Sequence, residues 1–406
     1  MRLITAIFIG KLIAFLTKFL KIGGGSAAPG LYALKIDPNL VEKLSQQIPK
    51  NIVITGTNGK TTTSKMLAHF SRTSGLSVIR NHTGSNLERG IASALIANCQ
   101  LPTVNCQLDL GIWELDEAAF NRVSPKLKPD LMIFLNVSRD QLDRYGETDT
   151  VVNKWCETVS KLDPKTTALI NSDDPNLAKL KKYFKGKARE FGKKDIKNIK
   201  LNGLKGSVFE LKIENYKLKI NLPIPGLYHI YDFLASFTAG ITLGLQPKQI
   251  ISSLKSYSPA FGRVEKLPFG HIFLIKNPAG ATQVFETLAP NIKPTDALLL
   301  ALNDNLADGT DVSWIWDAGF ESLQVTVNSL QVIVSGTRTY DLAVRLKYAG
   351  FDPKKIIIEP ELENALKQAR KGLEGQLFIL PTYTAMLKLQ SILVKAGIKK
   401  HYWEEE

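Results

Sequence analysis

The densest concentration of reactive chemistry in this sequence is a glycine turn that ends in a lysine and a run of hydroxyls. Ile52-Val53-Ile54-Thr55-Gly56-Thr57-Asn58-Gly59-Lys60-Thr61-Thr62-Thr63 passes from a β-branched apolar run, through two glycines, into a helix-forming segment. Glycines let backbone N–H groups close on phosphate oxygens, and the following helix N-terminus favours negative charge. Lys60 can then reach the β- and γ-phosphates of a nucleotide, and the Thr61 hydroxyl can ligate Mg²⁺. Ile54 stands where the commonest form of this loop has its first glycine. The plainer alternative, a turn with a solvated lysine, does not account for a strand before and a helix after an intact Gly-Lys-Thr.

Further polar clusters follow apolar runs downstream. Trp113 precedes Glu114-Leu115-Asp116-Glu117, and Leu135-Asn136-Val137-Ser138-Arg139-Asp140-Gln141-Leu142-Asp143 follows the next run. Asn171-Ser172-Asp173-Asp174-Pro175 closes a third. Carboxylates at a strand terminus beside a phosphate loop commonly hold Mg²⁺, directly or through water. For Asp116 and Glu117 the plainer role is charge at the start of a helix over 118–122, worth ~0.3–1 kcal/mol. In the C-terminal half, Asn303-Asp304-Asn305 and Asp308-Gly309-Thr310-Asp311-Val312-Ser313-Trp314 combine carboxylates with aromatics after a strand. Asp311 also suits the N-cap of a helix starting at Val312.

The elements that must carry these groups alternate. Strand-like runs fall at 51–55, 77–81, 107–113, 130–136 and 167–171, with helical stretches between several of them. A second alternation has runs at 272–275, 297–302, 332–335, 355–358 and 377–380, with helical patterns at 339–349 and 362–371. This predicts an α/β chain: a mostly parallel sheet with its site at the strands' carboxyl ends, followed by a second, smaller α/β domain. The expected boundaries are 1–47 for an N-terminal helix and linker, 48–261 for a central domain and 262–406 for a smaller C-terminal α/β domain.

Composition is that of a globular protein of two or three domains: 406 residues, 44% hydrophobic, 22% charged. The formal charge of +14 points to an anionic surface or phosphate-rich substrates, and no nucleic-acid motif accompanies it. The lysines between Lys179 and Lys205 read as a solvated face, with Tyr183, Phe184 and Phe191 among them as core aromatics. Cys99, Cys106 and Cys156 have neither disulfide-framework nor zinc-site spacing and suit a reducing cytoplasm. The first 22 residues are apolar but carry Arg2, Lys11, Lys18 and Lys21, which excludes a simple membrane span. Two readings stand for this helix: packed on the protein body, or lying at the inner face of the plasma membrane.

The loop, the strand-end Glu114 and the Asn171–Asp174 run together resemble the central ATPase domain of the Mur ligase superfamily, which includes folylpolyglutamate synthetases. The resemblance implies a Mur-type P-loop domain with a Rossmann-like C-terminal domain, and ATP with Mg²⁺ as cofactors. It places Gly56, Thr57, Asn58, Gly59, Lys60, Thr61, Thr62, Asn171, Asp173, Asp174 and Arg263 at the nucleotide, and Thr61, Glu114 and Gln141 at the metal. Gln141 replaces the family's histidine, and the position of its carbamylated lysine falls at Trp155 or Cys156. Of the Gly-x-x-Asn-x-x-Asn helix motif, Gly226 remains while His229 and Asp232 replace the asparagines. Gly262-Arg263-Val264-Glu265 matches the junction motif Gly-Arg-x-Glu, where a hinge salt bridge is the plainer role for Arg263.

The C-terminal runs, with Lys276-Asn277-Pro278-Ala279-Gly280, Ser335–Arg338 and Pro381–Thr384, resemble the MurT family of lipid II isoglutaminyl synthase subunits. That resemblance implies amidation of the D-glutamate α-carboxylate of the lipid II stem peptide through an acyl phosphate. It also implies a heterodimer with a GatD-like glutaminase that supplies ammonia, with Asp311 completing the partner's catalytic triad beside the catalytic Lys60 and Glu114. Many family members carry a four-cysteine zinc ribbon that this chain lacks, so no zinc is expected. The alternatives are a ligase adding an amino acid, as in Mur or folylpolyglutamate enzymes, and a catalytically silent scaffold for a glutaminase.

Overall fold

The computed structural model describes residues 1–19, 27–81, 86–101, 107–138, 148–213, 215–259, 262–323 and 330–399. Gln141, Asp140, Asp143, Cys106, Lys21 and the glycine linker after it lie outside them.

The chain opens with α1 (Arg2–Phe19), α2 (Ala28–Ile36) and α3 (Leu40–Ser45). The central unit then alternates β1 (Lys50–Thr55), α4 (Lys60–Thr73), β2 (Val78–Arg80), α5 (Glu88–Asn98), β3 (Leu110–Leu115), α6 (Glu117–Leu127), β4 (Leu131–Phe134), α7 (Thr148–Val159), β5 (Thr167–Asn171), α8 (Leu180–Tyr183) and β6 (Lys187–Phe191). Its six strands pair in parallel in the order β2-β3-β1-β4-β5-β6. The apolar runs alternate faces as a doubly covered sheet requires. Val53, Trp113 and Leu115 join a core with α1, α3 and α5–α7. Ile52, Ile54 and Ile112 face α4 and a long helix, α9 (Leu227–Thr242).

Between β6 and α9 lies a three-stranded antiparallel sheet of β7 (Ile196–Leu201), β8 (Ser207–Ile213) and β9 (Tyr216–Leu222). This is the lysine-rich region. Phe184, Phe191 and Phe209 are buried while Tyr183 is exposed, so one of the expected core aromatics lies outside. Neither β6 nor this sheet was expected: β6 is only half-buried, and β7 and β9 carry lysines on their outward positions, so charge obscures the alternation.

After α10 (Pro247–Ser253), the second sheet comprises β10 (Glu265–Leu267), β11 (Gly270–Ile272), β12 (Ala297–Ala301), β13 (Gln331–Ser335), β14 (Ile356–Ile358) and β15 (Leu377–Pro381). Its order is β10-β11-β15-β12-β13-β14, parallel except for the β10–β11 hairpin. Helices α11 (Pro278–Leu288) and α12 (Thr339–Tyr348) cover one face, and α13 (Leu362–Arg370) and α14 (Tyr383–Lys395) the other. The apolar run at 272–275 is largely beyond β11, yet Phe273 N and Ile275 N still donate to Ile379 O and Pro381 O.

Cys99 is disulfide-bonded, which the cysteine spacing did not suggest, and Cys156 is a buried free thiol whose pKa burial raises. No helix among the described residues is long and apolar enough to cross a membrane.

Candidate active site

The loop after β1 crosses the carboxyl edge of the central sheet, where β3, β4 and β5 deliver their polar ends. Gly56 and Gly59 both hold positive φ, 142° and 89°. A Cβ at Gly56 would stand 3.0 Å from the Asn136 backbone, and one at Gly59 would collide with the Asp232 carboxylate. Glycine is therefore required at both by conformation and by space. Asn136 fastens the loop to the end of β4: its Oδ1 accepts from Asn58 N at 2.8 Å and its Nδ2 donates to Asn58 O at 3.0 Å. Thr57 N donates to Asn136 O at 2.9 Å.

Lys60 is 7% exposed. Its Nζ donates to the carbonyls of Gly56 and Thr57 and lies 3.8 Å from Glu117 Oε2. Glu117 is thus more than helix-end charge: burial beside Lys60 makes it the lysine's counter-ion. Asp116 does take the plainer role, accepting from Ala119 N at 2.7 Å as the N-cap of α6.

Glu114 lies inside β3 rather than after it, and its side chain points towards α4. Its Oε2 accepts from Thr61 Oγ1 at 2.9 Å, its Oε1 accepts from Ser64 Oγ, and Arg80 Nη1 stands 3.9 Å away. Asn81 brackets the same residue's backbone, donating to Glu114 O at 2.9 Å and accepting from Glu114 N at 2.8 Å. The Thr61 hydroxyl and Glu114 carboxylate form an all-oxygen pair suited to a hard cation such as Mg²⁺, with water and phosphate completing the shell. Among the described residues no group of three His, Cys, Asp or Glu side chains converges as a metal site. Mg²⁺ carried by a nucleotide commonly takes only one or two carboxylates from the protein, the rest coming from phosphate and water.

A cleft of about 410 Å³ opens beside the loop, lined by Asn58, Gly59, Asn136, Asn171, Asp173, Asp174, Tyr231 and Asp232 among others. Asn171 and Asp174 spend their hydrogen bonds on the cleft wall. Asn171 Nδ2 donates to Leu135 O at 2.8 Å, and Asp174 accepts from Val137 N at 2.6 Å and Asn176 N at 2.8 Å. Asp173 accepts from the Tyr231 hydroxyl at 2.8 Å, and burial raises that phenol's pKa.

A narrower cavity adjoins, walled by Thr62, Tyr228, His229, Asp232, Arg263 and residues of α11. His229 Nδ1 and Asp232 Oδ2 are 3.0 Å apart, both side chains buried. Burial lowers the His229 pKa and raises that of Asp232, so the pair favours its neutral form. His229 Nε2 has no hydrogen-bond partner among the described residues.

Arg263 enters between Gly262 (φ 72°) and Val264 (φ 59°). A β-branched residue rarely adopts that conformation, so the junction is held under strain. The hinge salt bridge belongs to Glu265, which pairs with Lys399 at 2.6 Å and accepts from Gly262 N at 2.6 Å. Arg263 is left facing the cavity, where burial lowers its pKa against the attraction of Tyr228, Asp232 and Glu114. The C-terminal unit also reaches the loop directly. Asn277 Nδ2 donates to Asn58 Oδ1 at 3.0 Å, and Lys276 Nζ approaches Thr57 O at 3.4 Å.

Asp311 lines neither cavity. It follows β12 on the C-terminal sheet, exposed, and accepts from Ser313 N at 2.8 Å. The expected helix from Val312 is a single 3₁₀ turn over Ser313–Trp316 capped at Val312. Trp155 is core, packed on Phe120 and Phe134, and its Nε1 donates to Glu117 O at 3.0 Å. Neither it nor Cys156 offers an amine to the site, and Lys154 is exposed. Sequence reasoning missed the roles of Glu117, Asn81 and Tyr231. Glu117 carried a signal, an acidic residue three positions after Glu114, and Asn81 carried none.

Residues 54–240 match the Mur ligase middle domain and residues 274–386 the MurT ligase C-terminal domain. The Staphylococcus aureus (strain COL) protein named lipid II isoglutaminyl synthase (glutamine-hydrolyzing) subunit MurT is 31% identical, across 89% of this chain and 91% of that protein. Its namesake from Streptococcus pneumoniae R6 is 30% identical across 93% and 94%. Among solved structures, MurF from Acinetobacter baumannii superposes with TM-score 0.71 at 18% identity, covering 90% of this chain and 80% of that one. Mycobacterium tuberculosis folylpolyglutamate synthase, complexed with ADP and AMPPCP, gives 0.68 at 15%, covering 89% and 96%.

Proposed function

Since this chain belongs to the MurT family, and is thereby an ATP-dependent ligase of the Mur type, we propose that it amidates lipid II. The acceptor is the α-carboxylate of D-glutamate in the stem peptide, and the product is D-isoglutamine. A carboxylate oxygen attacks the γ-phosphorus and ADP leaves. Ammonia then attacks the acyl carbon of the resulting acyl phosphate and inorganic phosphate leaves, the nitrogen shedding one proton.

Lys60 and the amides of residues 56–62 position the triphosphate. Thr61 and Glu114 would hold Mg²⁺, which neutralises charge on the phosphates, with Gln141 as a third candidate ligand. Arg263, from the far side of the junction, faces the same charge. Such a site contributes position and electrostatics rather than covalent chemistry. The domain boundaries proposed for this arrangement are 1–47, 48–261 and 262–406.

The observation that carries the reading is the Lys60–Thr61–Glu114 constellation set against a C-terminal unit of MurT type. Ammonia rather than an amino acid is favoured as the acceptor's partner because the position of the Mur ligases' modified lysine falls, by spacing, at Trp155 or Cys156, both of which are buried and neither of which is an amine. The ammonia source in this reading is a GatD-like glutaminase, with exposed Asp311 orienting the base of its triad.

Purified protein given ATP, Mg²⁺, ammonium and lipid II should form D-isoglutamine, and mass spectrometry of the stem peptide detects it. Incorporation of an amino acid or extension of a folate instead would favour the ligase alternative. Turnover undiminished in Lys60→Ala would defeat the mechanism.

A further inference from the structure

We propose that the outward face of α1 is a docking surface for an anionic lipid bilayer, on which the helix lies flat. The helix has two unlike sides. Ala6, Ile7 and Gly10 are buried against the protein body, where a Cβ on Gly10 would press on Ile96 of α5. The opposite side repeats at intervals of three and four: Ile4, Phe8, Leu12, Phe15, Leu16 and Phe19 are all exposed, the three phenylalanines at 57%, 66% and 73%. Residues at that spacing share one face of a helix. Phe15 and Phe19 stack on each other, ring centroids 6.2 Å apart, and cover no part of the core. A soluble surface rarely exposes so continuous an apolar stripe without a partner.

Charge selects the partner. Residues 1–36 contain no aspartate or glutamate and carry Arg2, Lys11, Lys18, Lys21 and Lys35. Lys11 reaches back to Cys99 O at 2.5 Å, so its charge sits at the protein-side border of the helix, above the level of the apolar stripe. Arg2 and Lys35 are exposed. An apolar face bordered by cations and free of anions is complementary to a leaflet of acidic lipids, where each basic residue adds attraction. A second copy of the chain seated on this face would bring like charges together. Because the inner side of α1 is part of the protein core, the helix can lie on a bilayer but cannot insert across it. The use of this surface, holding the site against a lipid-linked acceptor, rests on the amidation reading above.

The full-length protein should sediment with vesicles of phosphatidylcholine and phosphatidylglycerol, more weakly with phosphatidylcholine alone, and less at high salt. Phe8→Ser with Phe15→Ser should weaken vesicle binding roughly tenfold or more. Arg2→Glu with Lys35→Glu should remove the preference for phosphatidylglycerol. All four positions are exposed, and an unchanged thermal midpoint checks that the variants fold. Full-length protein that stays in the supernatant with phosphatidylglycerol vesicles would overturn the proposal, as would a doubly serine-substituted protein that binds like the parent. A concentration-dependent dimer abolished by the serine substitutions, without vesicle binding, would assign the face to self-association instead. Ammonium-dependent turnover of a water-soluble stem-peptide acceptor needs no bilayer. It therefore separates failure of this inference from failure of the amidation reading.

Discussion

Replacing Lys60 by methionine should damage both the fold and the chemistry, and the two effects can be separated. Lys60 Nζ and Glu117 Oε2 are 3.8 Å apart, with side chains 7% and 5% exposed. At an effective dielectric of about 20, unit charges at that separation attract by ~4 kcal/mol. Removing one partner strands the other, so Lys60→Met should cost ~3–5 kcal/mol, the usual penalty for a broken buried pair. Lys60→Met with Glu117→Gln removes both charges and should recover most of that stability. Turnover behaves differently. An ammonium group aimed at developing phosphate charge is worth ~10²–10³ in rate, and neither variant supplies one. Urea unfolding followed by circular dichroism reads the first effect, and ADP release at saturating ammonium reads the second. A single variant with the parent's unfolding midpoint would refute the buried pairing. Recovery of turnover in the double variant would show that Lys60 acts only as a structural counter-ion.

Four further outcomes follow from the same geometry. Glu114→Gln keeps an acceptor for Thr61 and Ser64 but loses the anion, so the Mg²⁺ concentration for half-maximal turnover should rise about tenfold or more; an unchanged Mg²⁺ dependence would remove Glu114 from the metal site. Asn136→Ala deletes both bonds to the Asn58 backbone and should weaken nucleotide binding by ~1–3 kcal/mol, measurable by calorimetry. The His229–Asp232 pair should shape stability against pH. With the histidine depressed, the unfolded chain binds more protons just below pH ~6.5, so this group makes stability rise with pH up to about there. Asp232 is raised, so the folded chain holds the extra proton above pH ~3.9 and stability falls as pH climbs towards its folded value. Asp232→Asn should abolish that fall, and midpoint-against-pH curves parallel to the parent's would contradict it. Asp311→Asn should leave ammonium-dependent turnover intact while lowering glutamine-dependent turnover with the glutaminase present; equal loss of both would place Asp311 elsewhere.

Much of the central sheet was readable because its strands are buried on both faces. Runs such as Ile52–Ile54 and Leu131–Phe134 are continuously apolar, and β-branching with flanking turns separates them from helices. The lysine-bearing antiparallel strands were not readable, since a half-solvated strand with charge on its outward positions looks like a loop. The glycine turn after β1 was legible to the residue, because glycine at 56 and 59 answers a local backbone demand. Glu117 was not: adjacent to an N-cap aspartate, it has every local reason to be helix-end charge. Its burial against Lys60 arises only when β3 and β1 pair in register.

Local pattern, then, was determined by the sequence alone: a glycine turn with Gly-Lys-Thr between a strand and a helix, a carboxylate at the end of an apolar run, an apolar first helix with scattered cations, and two α/β units. Those features depend on residues close in the chain, and periodicity and spacing report them directly. The tertiary structure decided which groups meet. Gly59 against Asp232, Asn58 with Asn277 and Arg263 beside His229 join segments far apart in sequence. Which side of α1 is outside was decided the same way. The helix is apolar around most of its circumference, and only packing against α2 and α5 selects the face left for a partner. Contacts across such separations are set by how whole elements pack, and packing is a property of the assembled cores rather than of any one segment.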